Sequence, residues 1–139
     1  EDIDAAATIE RLRQDWPELN VRVVGSGNVR ADARALDTVF RNILQNAVVH
    51  GGATAVEVRL DQPSASVVRI AFHDNGRGVP ANRLADLGAP FSRVSETSGT
   101  GVGLYVSRQI VTRLGGTLTF AVHAAQGGLI VSIELPSAR

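Results

Sequence analysis

An α+β fold, a mixed sheet with helices on one face, follows from three features of this 139-residue chain. One long helical stripe surrounds Phe40, and the glycine-rich run 99–104 leads directly into a second helix. The stretches between and beyond alternate apolar and polar residues, as half-buried strands do. Helices after the sheet's first part and hairpins elsewhere give two layers.

The elements follow in order. Residues 4–15 predict a short helix with Ala5, Ile9 and Leu12 on one side, ended by Trp16-Pro17; it either packs on the domain or is a remnant of a linker. Residues 20–24 are strand-like through their valines, and Gly25-Ser26-Gly27-Asn28 breaks them. Asp32 is placed to cap the next helix, roughly 33–50. Along that helix Leu36, Val39, Phe40, Ile43, Leu44, Ala47 and Val48 recur at i, i+3, i+4, i+7, i+8, i+11 and i+12, which defines one buried face. Gly51-Gly52 ends it. Val56, Val58 and Leu60 then alternate with charged residues, and a Gln62-Pro63-Ser64 turn leads into the strand Val68 to Phe72. After a short helical possibility at 81–87, residues 88–98 have almost no periodicity and read as a lid, a binding loop or a plain connector. Val102, Val106, Ile110 and Leu114 step by four along the second helix, which Gly115-Gly116 stops. Two strands close the chain, Leu118 to Val122 and Leu129 to Leu135, joined by a turn at 125–128.

Composition sets limits on function. A hydrophobic content of 44% suits one globular domain, and zero formal charge draws it neither to nucleic acid nor to an anionic membrane. Without cysteine there is no disulfide framework and no thiolate metal site. No apolar run approaches the roughly 20 residues of a membrane span. Methionine is absent even at position 1, which reads as a piece of a longer chain. All fourteen basic residues are arginine, which excludes a P-loop or a eukaryotic-type protein kinase, since both need a lysine at the phosphates.

Three stretches carry candidate chemistry. In His73-Asp74-Asn75-Gly76-Arg77-Gly78-Val79-Pro80 a carboxylate stands at a strand's end, and two glycines let the backbone turn or let something flat approach; alone, the stretch also fits an ordinary Asn-Gly turn. Asn42 and Asn46 lie one turn apart at the edge of the apolar stripe, facing a cavity at the core boundary or tolerated on the surface. Gly99-Thr100-Gly101-Val102-Gly103-Leu104 puts three alternate glycines before a helix, where free N–H groups can meet an anion; a hinge is the plainer reading.

Taken together and in order, these motifs resemble the ATP-binding catalytic domain of sensor histidine kinases, in the superfamily shared with DNA gyrase, Hsp90 and MutL. Residues 40–47, Phe-Arg-Asn-Ile-Leu-Gln-Asn-Ala, resemble its N box. Asp74 to Gly78 resemble the first glycine box, Ala89-Pro90-Phe91-Ser92-Arg93 the F box, and Gly99 to Leu104 the second glycine box. The resemblance implies a Bergerat-type two-layer sandwich over 30–139, with residues 1–29 partly linker from a missing dimerisation domain. It also implies ATP and Mg²⁺ as ligands. Asn46 is then the metal residue, since magnesium takes an amide oxygen beside phosphate oxygens and water. Asp74 accepts from the adenine amino group, with Gly76 and Gly78 beside the base. Gly99, Thr100, Gly101, Val102, Gly103 and Leu104 line the phosphates, the Phe91 segment closes as a lid, and Arg93 reaches the γ-phosphate. Asn42 takes the place where related ATPases and serine kinases carry a glutamate base; an amide cannot be that base, which favours transfer to histidine and an orienting role.

Two positions depart from the family pattern. Val49 stands where a lysine or arginine is common, with His50 beside it to supply part of that charge, and Leu129 follows Gly128 where a threonine is frequent. None of His50, His73 and His123 has the helical setting of a phospho-acceptor. The acceptor is therefore expected on a separate dimerisation and phosphotransfer domain of a homodimeric parent, with a response regulator downstream. The isolated domain is expected to be monomeric and cytoplasmic, in a parent that can be anchored in the inner membrane. The rival readings are a nucleotide-binding or interaction module without catalysis and, against Asn42, an anti-sigma-type serine kinase.

Overall fold

Helix α1 (Ala5–Leu12) follows directly on strand β1 (Asp2–Asp4), because the Asp4 carboxylate turns back to accept the Ala7 N–H at 3.1 Å. A 3-10 turn at Arg13–Asp15 and strands β2 (Asn20–Gly25) and β3 (Asn28–Arg30) lead to helix α2 (Ala33–Val49). Asp32 caps α2 by accepting the Ala35 N–H at 2.9 Å. The β-hairpin of β4 (Ala55–Ser64) and β5 (Val67–Asp74) comes next, and helix α3 (Gly101–Arg113) precedes β6 (Thr117–Val122) and β7 (Leu129–Pro136). The computed structural model describes residues 1–78, 101–122 and 127–138, with side chains from Gly103 onward in the second segment. The short helix expected at 81–87 and the loop at 88–98 lie outside them.

Five strands form one mixed sheet in the order β2-β4-β5-β7-β6, in which β2 runs parallel to β4 and every other neighbour is antiparallel. The three central strands bury alternate residues, β4 over its first half. Val56, Val58 and Leu60 of β4, Val68, Ile70 and Phe72 of β5, and Val131, Ile133 and Leu135 of β7 are all buried in one core with Leu36, Val39, Phe40, Ile43 and Leu44 of α2. The Phe40 and Phe72 rings meet at 5.5 Å between centroids and join helix to sheet. Ala5, Ile9 and Leu12 of α1 enter the same core. Charged side chains alternate with the buried ones along the hairpin, where Arg59 pairs with Glu57 and Arg69 with Asp61.

The expected architecture is thus present, with differences in its elements. The turn expected at Gln62-Pro63-Ser64 is strand: β4 continues to Ser64, its register shifting between Asp61 and Ser64, and the chain reverses at 65–66. A bulge leaves the proline no ladder hydrogen bond to lose. β1 and β3 form a separate antiparallel pair that three-residue strands gave no alternation to announce. In α3 the most buried line is Leu104, Ser107 and Val111, while Val106, Ile110 and Leu114 are only half-buried. Gly101 and Gly103 belong to the first turn of that helix, where the sequence suggested a loop before it.

Candidate functional site

Two contacts align the end of β5 with the end of α2. Phe72 meets Phe40 near the middle of the helix, and past the strand Gly76 meets Gly51 just beyond it. A Cβ on Gly76 would lie 2.6 Å from the Gly51 oxygen, which accepts the Arg77 N–H at 2.9 Å. Gly76 is thus required by the protein's own backbone. Between the two anchors lie Asp74 on the strand and Asn46 on the helix.

Asp74 is 6% exposed, and its side chain faces the core like those of Ile70 and Phe72. Its Oδ1 accepts two backbone N–H groups, from Gly76 at 2.9 Å and from Leu129 at 3.2 Å. Among the described residues no donor reaches Oδ2. Burial pushes the carboxyl above the usual range, against the lowering effect of the two N–H groups and of His73. The carboxylate thus has one oxygen fixed by the fold and one left as an acceptor for a ligand's N–H. The contact from Leu129 is made by its backbone N–H, so the leucine side chain at this position does not prevent it. Gly128 allows this approach, because a Cβ there would sit 2.0 Å from the Asp74 carbonyl oxygen.

Asn75 was not singled out by the sequence, although an asparagine after a strand is a common turn clamp. Its Oδ1 accepts the Thr54 and Ala55 N–H groups at 2.9 and 3.0 Å, and its Nδ2 donates to the Thr54 hydroxyl at 2.9 Å. This fixes the start of β4 against the segment that follows Asp74.

On α2, Asn46 is 8% exposed and Asn42 half-buried. The Asn42 amide nitrogen donates to the Gly103 carbonyl and to the Ser107 hydroxyl, both at 3.2 Å. The two asparagines therefore differ in setting, and Asn42 ties α2 to the first turn of α3. Ser107 was missed, though a polar residue on the line between Leu104 and Val111 is a signal that the helical period makes visible.

Val49 is 47% exposed, and its neighbour His50 caps the helix. Burial, and then the nearby Arg77 guanidinium, lower the His50 imidazole below the ordinary histidine range, which favours its neutral form. The part-charge expected of His50 is therefore disfavoured by its surroundings. Gly101, Val102, Gly103 and Leu104 form the first turn of α3, whose N–H groups have no partner within the helix, and Leu104 is buried. Gly78 adopts a φ of 66°. Phe91, Arg93, Gly99 and Thr100 lie outside the described residues.

Residues 31–139 match the family described as histidine kinase-, DNA gyrase B-, and HSP90-like ATPase. The non-motile and phage-resistance protein of Caulobacter vibrioides is 33% identical over 137 residues, 91% of this chain and 15% of that protein. The sensor protein KdpD of Mycobacterium tuberculosis is 36% identical over 115 residues, 81% of this chain and 13% of its own length. This chain thus spans a small part of these curated relatives. Among solved structures, a mycobacterial sensor histidine kinase MprB superposes with a TM-score of 0.83 at 28% identity, covering 99% of this chain and 97% of that one. The ATP binding domain of PrrB from Mycobacterium tuberculosis does so with a TM-score of 0.82 at 26% identity, covering 100% and 98%. By sequence and fold together, this chain belongs to the histidine kinase-, DNA gyrase B- and HSP90-like ATPase family, among its sensor histidine kinase catalytic domains.

Proposed function

We propose that this chain binds Mg-ATP and donates the γ-phosphate to a histidine on a separate helical dimerisation domain, from which it passes to a response-regulator aspartate. The observation that carries the nucleotide reading is Asp74, a buried carboxylate with one oxygen committed to two backbone N–H groups and the other left as an acceptor. As an ion it suits the 6-amino group of adenine and repels the oxygen that guanine has at that place. The N–H groups of the first turn of α3, which have no partner within the helix, suit phosphate oxygens. Among the described residues no three His, Cys, Asp or Glu side chains gather to hold a metal. An amide oxygen from Asn46 fits a magnesium ion that takes its other ligands from phosphate and water. When bound, such an ion would neutralise charge on the phosphates. In the transfer itself a neutral imidazole nitrogen forms the new N–P bond with its lone pair as the bond from the γ-phosphorus to the bridging oxygen breaks and ADP leaves. No base is needed to activate that nucleophile, which agrees with an amide at Asn42 and disfavours a serine kinase. Arg93, from the F-box resemblance, is assigned to stabilise the charge in transfer.

Exposed Val49 beside a preferentially neutral His50 favours a second reading, a nucleotide-binding or interaction module without catalysis. The two are separated by calorimetric titration of Mg-ATP, with GTP as control, followed by transfer to an added histidine-bearing hairpin domain. The kinase reading expects saturable ATP binding that is lost in Asp74→Asn, binding without magnesium dependence in Asn46→Ala, and labelling of the acceptor by the wild type. Binding without labelling of its proper acceptor supports the module. No binding at millimolar ATP sinks the nucleotide site itself.

A further inference from the structure

Ser107 is fully buried on the core-facing line of α3, between Leu104 and Val111, where an apolar residue would be the ordinary choice. A buried hydroxyl is retained at low cost only when it is hydrogen-bonded, and this one accepts an N–H from Asn42 of the neighbouring helix. The Gly103 carbonyl accepts the other. A carbonyl can only accept, so the atom facing Gly103 must be the amide nitrogen, and this decides which way the Asn42 amide is turned. With two acceptors in place, both hydrogens of the amide are used. The Asn42 oxygen is left as its one polar atom without a partner among the described residues. Asn42 therefore has an acceptor to offer and no donor for a phosphate oxygen.

We propose that Ser107 is a positioning residue of the nucleotide site: together with the Gly103 carbonyl it fixes the Asn42 amide and holds the first turn of α3 in register with α2, so that phosphate-facing groups on the two helices act as one unit. The inference rests on the ATP reading of the site. It assigns Ser107 to the phosphate half of the nucleotide and leaves the adenine half to Asp74.

A double-mutant cycle tests it. Mg-ATP and adenosine are titrated into the wild type, Ser107→Ala, Asn42→Ala and the double variant, with thermal unfolding of each to confirm that it is folded. Ser107→Ala is expected to weaken Mg-ATP roughly 3- to 10-fold, the effect of one hydrogen bond, with adenosine affinity unchanged. Asn42→Ala is expected to lose at least as much, and the double variant no more than Asn42→Ala alone, because both substitutions remove the same link. Wild-type ATP affinity in Ser107→Ala, additive losses in the cycle, or equal losses for adenosine and ATP would overturn the proposal; the last would leave Ser107 as a packing residue only. A wild type that binds no ATP is a different failure, that of the functional reading, and it is seen before any variant is compared.

Discussion

Gly128 permits the Leu129 amide to reach Asp74, and the cost of a side chain there can be separated from the cost of backbone conformation. Gly127 and Gly128 have similar φ values of 73° and 83°, so an alanine at either is strained. Among the described residues a Cβ at Gly127 meets nothing within 4 Å, while one at Gly128 lies 2.0 Å from the Asp74 carbonyl oxygen. Gly127→Ala is therefore expected to cost about 1 kcal/mol, and Gly128→Ala about 2 kcal/mol more, with a lower melting temperature and weaker ATP binding. Equal losses in thermal melts would show that the crowding around Asp74 is relieved cheaply. At this scale the sequence was informative about some side chains, while Ser107 and the clamp made by Asn75 escaped it. Asp74 at a strand's end and Asn46 at the edge of a stripe could be read from spacing. The Leu129 N–H and the Gly103 carbonyl could not, because every residue but proline has the same backbone groups and only the fold says which of them point inward.

Among the elements, α2 was the most legible, because its seven apolar positions keep the helical period over thirteen residues, from Leu36 to Val48. Its start is specified by Asp32, whose carboxylate accepts the Ala35 N–H at 2.9 Å. Asp32→Ala is expected to destabilise the domain by about 1 kcal/mol and Asp32→Ser to retain most of that, read as a shift of the urea midpoint at constant slope. Identical midpoints in all three proteins would mean that neighbouring packing fixes the helix start unaided. The same logic explains the elements that were misread. Pro63 suggested a turn because proline lacks an N–H, yet the irregular register of β4 between Asp61 and Ser64 removes that objection. In α3 the apolar step of four drew attention away from Ser107, whose burial depends on a partner on another helix.

At the scale of the whole molecule, the local hairpins were legible, whereas the parallel pairing of β2 with β4 and the central pairing of β5 with β7 join distant segments and left no pattern in either. The second of them helps to bury Asp74, since Leu129 of β7 supplies its second N–H donor, and so gives the molecule a pH dependence of known sign. Burial raises the folded-state pKa of Asp74 above its ordinary value of 3.8. Between the unfolded and folded pKa values the folded protein holds a proton that the unfolded chain has released. Stability without nucleotide therefore falls as pH rises through that window. With Asp74 in its proposed role, ATP affinity is expected to move the other way, because the adenine amino group would need the ionised form as acceptor, so that binding tightens as pH rises through the folded pKa. His50, lowered from 6.5, contributes stability that is present above that value and lost as pH falls through its depressed pKa. Glu57, whose carboxyl is lowered first by its hydrogen bond from Arg59, also acts in the acid range, so the raw stability curve mixes opposed groups, and subtracting the curve of Asp74→Asn isolates one. The asparagine oxygen can still accept the Gly76 and Leu129 N–H groups, so the variant is expected to fold. The difference in unfolding free energy should slope downward with rising pH just above 3.8, while wild-type ATP affinity climbs over the same range. A flat difference curve would mean that Asp74 is as well solvated in the native protein as in the unfolded chain, and the buried-acceptor account of adenine recognition would fall with it.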